Sequence, residues 1–335
     1  MPATTAPGDT SNAPAKYTPE SIRQGLLYSL ITYGIWGMLP LYFVLMAPAS
    51  ALEIVSSRVL FSLIFCAALL PLLKLTAPFW RVLKDKRSLL LLAGASAVIG
   101  VNWFVYVVAS TTGHTIDASL GYFINPLVSV TLGVVFLKER LRPAQWVAVG
   151  ISTVAVLLMS FMFGQVPWAG LTLAFTFGIY SMLKSMVADS VPPVVSLSLE
   201  TLLLAPVAVG FMLFFAANNQ LTLFSQGAGH FWLLASTGVV TAVPLIVFAK
   251  TAQLLPLTIM GMVQYLGPTI QFLLAIFVLH DPIGVDKWVG LSLIWFSLII
   301  FSVDGVRAAR SSKPSALNDP ETGAIAIVKV PKDAS

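Results

Sequence analysis

Four ionisable residues fall inside long apolar runs: Glu53, Arg58, Asp117 and Glu200. A charge at membrane depth is expensive, so such residues are functional candidates by default. Glu53 reads as a wetted helix start. Arg58 and Glu200 occupy equivalent places in two halves of the chain, yet their expected depths differ by on the order of 15 Å, at a rise of about 1.5 Å per residue, so they are not expected to touch. Matching depth instead pairs Arg58 with Asp117 at one mouth and Glu200 with Lys250 at the other, as polar gates. Glu200 is also a candidate proton carrier, because burial disfavours a charged carboxylate.

Pro126 and Pro268 interrupt two further apolar runs. Proline donates no backbone hydrogen bond and frees the carbonyl four residues earlier, here those of Tyr122 and Gln264. At membrane depth such a break is tolerated only when buried or facing a cavity. Polar and small neighbours accompany both: Gly121, Tyr122 and Asn125 in one, Gln264, Tyr265 and Gly267 in the other. These residues are the expected walls of a central substrate site, with packing kinks as the plainer reading. Asn102, Trp103, Trp36 and Tyr180 are expected to complete an aromatic, mildly polar pocket suited to a small amphiphile with a flat apolar part. Trp80, Trp168 and Trp232 read instead as interfacial anchors.

The elements that position these residues are apolar helices. Of the 335 residues, 57% are hydrophobic and only 10% charged, with mean hydropathy +0.89. A soluble domain carries about 25% charge, so a membrane-embedded protein is the class that fits. The lipid bilayer is thus the first expected partner. Ten apolar segments lie at about 24–45, 52–73, 88–110, 117–137, 143–162, 167–187, 194–216, 230–252, 256–279 and 286–304, each near the ~20 residues a spanning helix needs. Residues 1–20 and 306–335 read as polar, disordered tails.

The chain repeats itself. Shifting Ser119–Gly150 by 142 gives Gly261–Ser292, which aligns Pro126 with Pro268, Glu139 with Asp281 and Trp146 with Trp288. Gly34-Ile35-Trp36-Gly37-Met38 echoes Gly178-Ile179-Tyr180-Ser181-Met182 at an offset of 144. Residues 21–162 and 163–305 therefore read as two five-helix units. Five is odd, so the second unit enters the membrane upside down, a transporter architecture. Lys74, Arg81, Lys84, Lys86, Arg87, Lys138, Arg140, Arg142, Lys184, Lys250, Arg307, Arg310 and Lys313 all fall on one side if both tails are cytoplasmic, whereas only Lys287 falls outside. Gly34 and Gly37 are packing signals.

Other classes find little support. The net charge of +5 forms no basic domain, so no nucleic-acid partner is expected. The single Cys66 excludes a disulfide framework, and His114, His230 and His280 lack ligand spacing, so neither metal nor other cofactor is expected. No Walker loop, HExxH or G-x-S-x-G is present, which argues against an enzyme. A non-transporting sensor, an assembly partner and a passive channel remain as alternatives to a transporter.

The string SLGYFINPLVSVTLGVVFLKERLRPAQW, with GIWGMLPLYF, EIVSSRVLFS, Leu199-Glu200-Thr201 and TAVPLIVFAKTAQLLPLTIMGMVQYLGPTIQFLLAIFVLHDP, resembles the EamA family of the drug/metabolite transporter superfamily over roughly 20–305. The resemblance implies an all-α membrane fold of ten transmembrane helices as two inverted EamA repeats in a bacterial inner membrane. It implies movement of a small metabolite or drug, export in particular, and a link to chloramphenicol sensitivity. It carries motif positions onto Tyr122, Asn125, Pro126, Gln264, Tyr265 and Pro268, and the paired charged positions onto Arg58 and Glu200. Lys250 departs from the pattern, where a small neutral residue is expected; inside a cavity it would alter charge preference.

Overall fold

A computed structural model describes residues 17–111, 115–163, 168–278 and 285–311. They form the helices α1 (Pro19–Val44), α2 (Ala51–Leu72), α3 (Thr76–Lys84), α4 (Lys86–Thr111), α5 (Thr115–Val135), α6 (Pro143–Phe163), α7 (Trp168–Val187), α8 (Pro193–Ala217), α9 (Ala228–Leu254), α10 (Leu257–Val263), α11 (Leu266–Phe277) and α12 (Val285–Ser311). Each predicted segment has its helix, and the ninth is divided into α10 and α11. The helix α3 is an addition. Its Val82 is buried while Trp80 stays exposed, so it is a short amphipathic helix in a stretch read as a connection.

Local chemistry sets the ends. Thr18 and Ser21 form a capping box ahead of α1, with Pro19 at the first turn. Ser50 Oγ accepts from the Glu53 amide at the start of α2. Asp85 accepts from the Ser88 and Arg87 amides before α4; the Ser88 hydroxyl first, and then these amides, hold its carboxyl below the usual range. Lys74, Lys138 and Asn219 follow α2, α5 and α8 in the left-handed region, at φ 57°, 54° and 55°. After α2 and α8 the next amide then reaches back, Leu75 N to Leu70 O and Gln220 N to Phe215 O, which closes the last turn. A lysine there also complements the negative helix end.

The helices α2, α4, α6, α7, α8 and α9 are long and apolar enough to cross a membrane, and Gly121–Val135 and Trp288–Asp304 are shorter apolar helices. Their burial pattern suits lipid. Large apolar side chains such as Phe161, Leu213 and Ile64 face outward, while Ser62, Ser96, Ser152, Thr237 and Ser297 are buried. The buried hydroxyls join helices: Ser152 and Ser297 are 2.7 Å apart, and Ser62 donates to the Gly238 carbonyl. Small polar residues inside and apolar ones outside is how membrane helices associate, because lipid offers no hydrophobic drive between them. The chain is a multi-pass membrane protein.

The main helix pairs join the first part of the chain to the second: α5 with α7 and α10, α2 with α8 and α9, α4 with α7 and α8, α1 with α9 and α11, and α6 with α12. Close approach rests on glycines. A Cβ on Gly238 would lie 2.5 Å from the Phe61 carbonyl carbon, and one on Gly121 would lie 2.6 Å from the Gly170 oxygen. Backbone cannot yield as a flexible side chain does. Gly238→Ala is therefore expected to lower unfolding stability in detergent by about 1–3 kcal/mol. Gly210, with nothing within 4 Å of a Cβ, is the control: Gly210→Ala is expected to be neutral or stabilising by up to about 1 kcal/mol.

Candidate functional site

A cavity of about 140 Å³ opens between α1, α2, α4, α5, α7 and the α10–α11 break. Of the residues singled out in the sequence, Trp36, Arg58, Asn102, Trp103, Tyr122, Asn125, Gln264 and Pro268 line it. Tyr33, Tyr106, Phe177 and Gln271 line it too, and sequence reasoning missed them. Tyr33 lies three residues before Trp36, about one helical turn away, and that spacing was the available signal.

The two asparagines hold the wall together. Asn102 Nδ2 donates to the Leu173 carbonyl at 2.9 Å and to Thr176 Oγ1 at 2.8 Å. The Asn125 amide, oriented by its surroundings, donates to Ala174 O at 2.9 Å and Leu173 O at 3.2 Å. Both thus tie α4 and α5 to the backbone of α7. On the opposite wall Gln271 Nε2 donates to Trp36 O, and Gln264 Oε1 accepts weakly from Ser129 at 3.5 Å. Trp36 meets Tyr33, Phe177 and Phe248 at ring-centroid separations of 5.6–5.8 Å. The lining is therefore aromatic with few uncommitted polar groups.

The proline expectation divides. α5 runs unbroken through Pro126, which is buried but does not line the cavity; its carbonyl would lie 3.0 Å from a Cβ on Gly261 of α10. The second copy does break between Val263 and Leu266, and the Gln264 carbonyl accepts from the Gly267 amide at 3.1 Å. Tyr265 is turned away, fully buried in a cluster with Ala148, Ala155, Ile294 and Phe301 of α6 and α12. Gln264 and Tyr265 are neighbours, and successive residues of a helical turn point about 100° apart.

Beneath the aromatic floor lies a second polar group. Lys184 Nζ is 2.6 Å from Glu200 Oε1, and these side chains are 1% and 3% exposed. Ser196 donates to the same oxygen at 2.8 Å, and Tyr180 OH donates to Oε2 at 3.1 Å. Tyr180 stacks on Phe248, which meets Trp36, so Tyr180 bridges floor and ion pair rather than lining the cavity. The expected Glu200–Lys250 pair does not form: Lys250 is exposed and donates to Gln253 at 2.9 Å. Lys250 therefore does not enter the cavity. The actual partner, Lys184, was readable only as an orientation marker, although Tyr180 and Lys184, and Ser196 and Glu200, are each one helical turn apart.

Arg58 and three further acids complete the picture. Arg58 Nε donates to Thr241 Oγ1 at 2.9 Å, and its guanidinium lies over Trp103 and Phe43 at 4.9 and 5.4 Å. Asp117 belongs to α5, and its side chain lies outside the described ones. Glu53 is not a wetted helix start. It is buried and accepts from the Thr222 and Leu223 amides at 2.8 Å and from the Thr222 hydroxyl, which anchors the α8–α9 connection. Glu139 plays a similar part for α10, accepting from the Leu257 and Thr258 amides at 2.7 and 2.8 Å. A carboxylate on orphan amides at a helix start is favourable.

Comparison with known proteins agrees with this fold. The EamA-like transporter family matches residues 23–161. "Protein RarD" of Streptomyces exfoliatus is 42% identical over 87% of this chain and 92% of its own length. The "Uncharacterized transporter YojE" of Bacillus subtilis is 39% identical over 87% of this chain and 97% of its own. A solved crystal structure with 15% identity superimposes with a TM-score of 0.66, covering 85% of this chain and 99% of that one, and so shares the fold. With relatives of this similarity over nearly their whole length, the chain belongs to the EamA family of membrane transporters, alongside the RarD proteins.

Proposed function

We propose that the chain is a secondary exporter of a small organic metabolite or drug, working by alternating access between two inverted five-helix repeats. The observation that carries this is the aromatic cavity at the α10–α11 break, closed beneath by Phe248, Tyr180 and the buried Lys184–Glu200 pair. Ten spans are then α1, α2, α4 to α9, the α10–α11 pair and α12. Helix contacts support the repeats, because they recur when the halves are exchanged. α5 with α7 matches α11 with α1; α2 with α9 matches α8 with α4; α4 with α7 matches α9 with α1.

With both termini in the cytoplasm of a bacterial cell, as the basic connections favour, the cavity lies in the outer half. This is the outward-facing arrangement. Inward opening requires the Phe248–Tyr180 floor to part and the Lys184–Glu200 and Glu139–α10 ties to loosen. Lys184 thus takes the gating place expected of Lys250, while Arg58 and Asp117 belong to the outer mouth. Glu200 is where a coupling proton would compete with Lys184.

Side-specific thiol labelling tests this. With Cys66→Ser as background, Leu39→Cys places one thiol in the cavity wall. It should react with an impermeant maleimide added to intact cells, and little in inverted vesicles. Labelling confined to inverted vesicles would overturn the orientation and the outward-facing reading.

A further inference from the structure

We propose that Arg58 makes the cavity a site for an organic anion, a carboxylate or similar small oxyanion carried on a flat apolar body. The proposal rests on the cavity being the substrate site. Arg58 is half-buried within α2, and Nε is occupied by Thr241. A guanidinium has five N–H donors in a fork that matches an oxyanion. Among the described residues, the terminal nitrogens carry no hydrogen bond and no carboxylate pairs with them.

Among the described side chains, the nearby acids are already engaged. Glu200, the equivalent position in the other half, is held by Lys184. Glu53, one turn and a residue before Arg58, is held by the Thr222 and Leu223 amides. An arginine in this setting calls for a counter-charge, since an isolated charge inside a membrane is costly. A substrate anion supplies it. Trp103 and Phe43 lie against the guanidinium, a favourable cation–π setting, and Trp36 and Phe177 in the same lining offer faces for an apolar ring. A cationic solute would meet like charge with no described acid in the lining.

Trp36 and Trp103 make the cavity readable by quenching of tryptophan fluorescence in the purified, detergent-solubilised protein. Three probes share one nitrophenyl ring: the planar isosteres 4-nitrobenzoate and 4-nitrobenzamide separate charge from shape, and a 4-nitrophenyl trimethylammonium salt supplies the cation. The carboxylate should bind about tenfold or more tighter than the amide, the scale of one charge-assisted contact, and the cation weakest. Arg58→Gln should remove the preference, and Arg58→Lys should keep part of it. The wild-type comparison stands even where a variant does not fold. Equal binding of carboxylate and amide, or a preference that survives Arg58→Gln, overturns the assignment. So does a preference that emerges only in Asp117→Asn, because Asp117 would then be the counter-ion. If the probes bind equally and Gly267→Phe abolishes all of them, the cavity reading stands and only the anion assignment fails. If none binds, or Gly267→Phe changes nothing, both fail.

Discussion

Replacing Lys184 with methionine is expected to destabilise the protein by about 3–5 kcal/mol. The cause is what the substitution leaves behind. Glu200 is 2% exposed, and without Lys184 its charge keeps only the Ser196 and Tyr180 hydroxyls. Removing one partner of a buried pair costs far more than the pair contributes, because desolvation has already offset most of the attraction. Lys184→Met combined with Glu200→Met should therefore recover most of the lost stability. Thermal unfolding of the four proteins in one detergent measures both effects. Additive losses would show that the two side chains do not act as a pair. Restored stability with abolished transport would place the pair in the cycle rather than in the scaffold alone.

The second large effect is expected from filling the cavity. Gly267 lines it, and a Cβ there would meet nothing within 4 Å. Gly267→Phe should thus push a ring into the space that a substrate needs without moving backbone. Transport should fall by at least about tenfold, as expected when a bulky group is set against the ligand, while the unfolding temperature stays near that of the wild type. Gly37 marks the contrast, since its Cβ would lie 2.7 Å from Ile270 Cβ; bulk there should destabilise. Loss of transport in Gly267→Phe only with loss of fold would mean the glycine serves packing.

The sequence made the helices legible because lipid imposes a coarse rule: about 20 apolar residues per span. It also led to much of the cavity, since Pro268, Gln264, Tyr122 and Asn125 stand out against an apolar background. What it could not supply was rotation about each helix axis. Tyr265 sits beside Gln264 yet packs on α6 and α12, and Lys250 sits between buried Ala249 and Thr251 yet is exposed. Pairing acids and bases by depth alone therefore chose Lys250 for Glu200, when Lys184 has the right depth and the right face. Repetition misled in another way. The aligned prolines suggested two equal breaks, but of these two runs only the one with Pro268 is divided, because α5 absorbs Pro126 within a continuous helix. Glu53 was misread because its partners lie in the uncharged connection at Thr222 and Leu223, far along the chain.

The most direct measurement is untargeted efflux. Proteoliposomes carrying the wild-type protein, Gly267→Phe or no protein would be loaded with a bacterial small-molecule extract, with and without a pH gradient, and followed by mass spectrometry. Selective loss of one compound class from wild-type liposomes alone is the predicted result, and an anionic aromatic class would join it to Arg58. Equal retention in all three, with the protein correctly inserted, would contradict the transport reading.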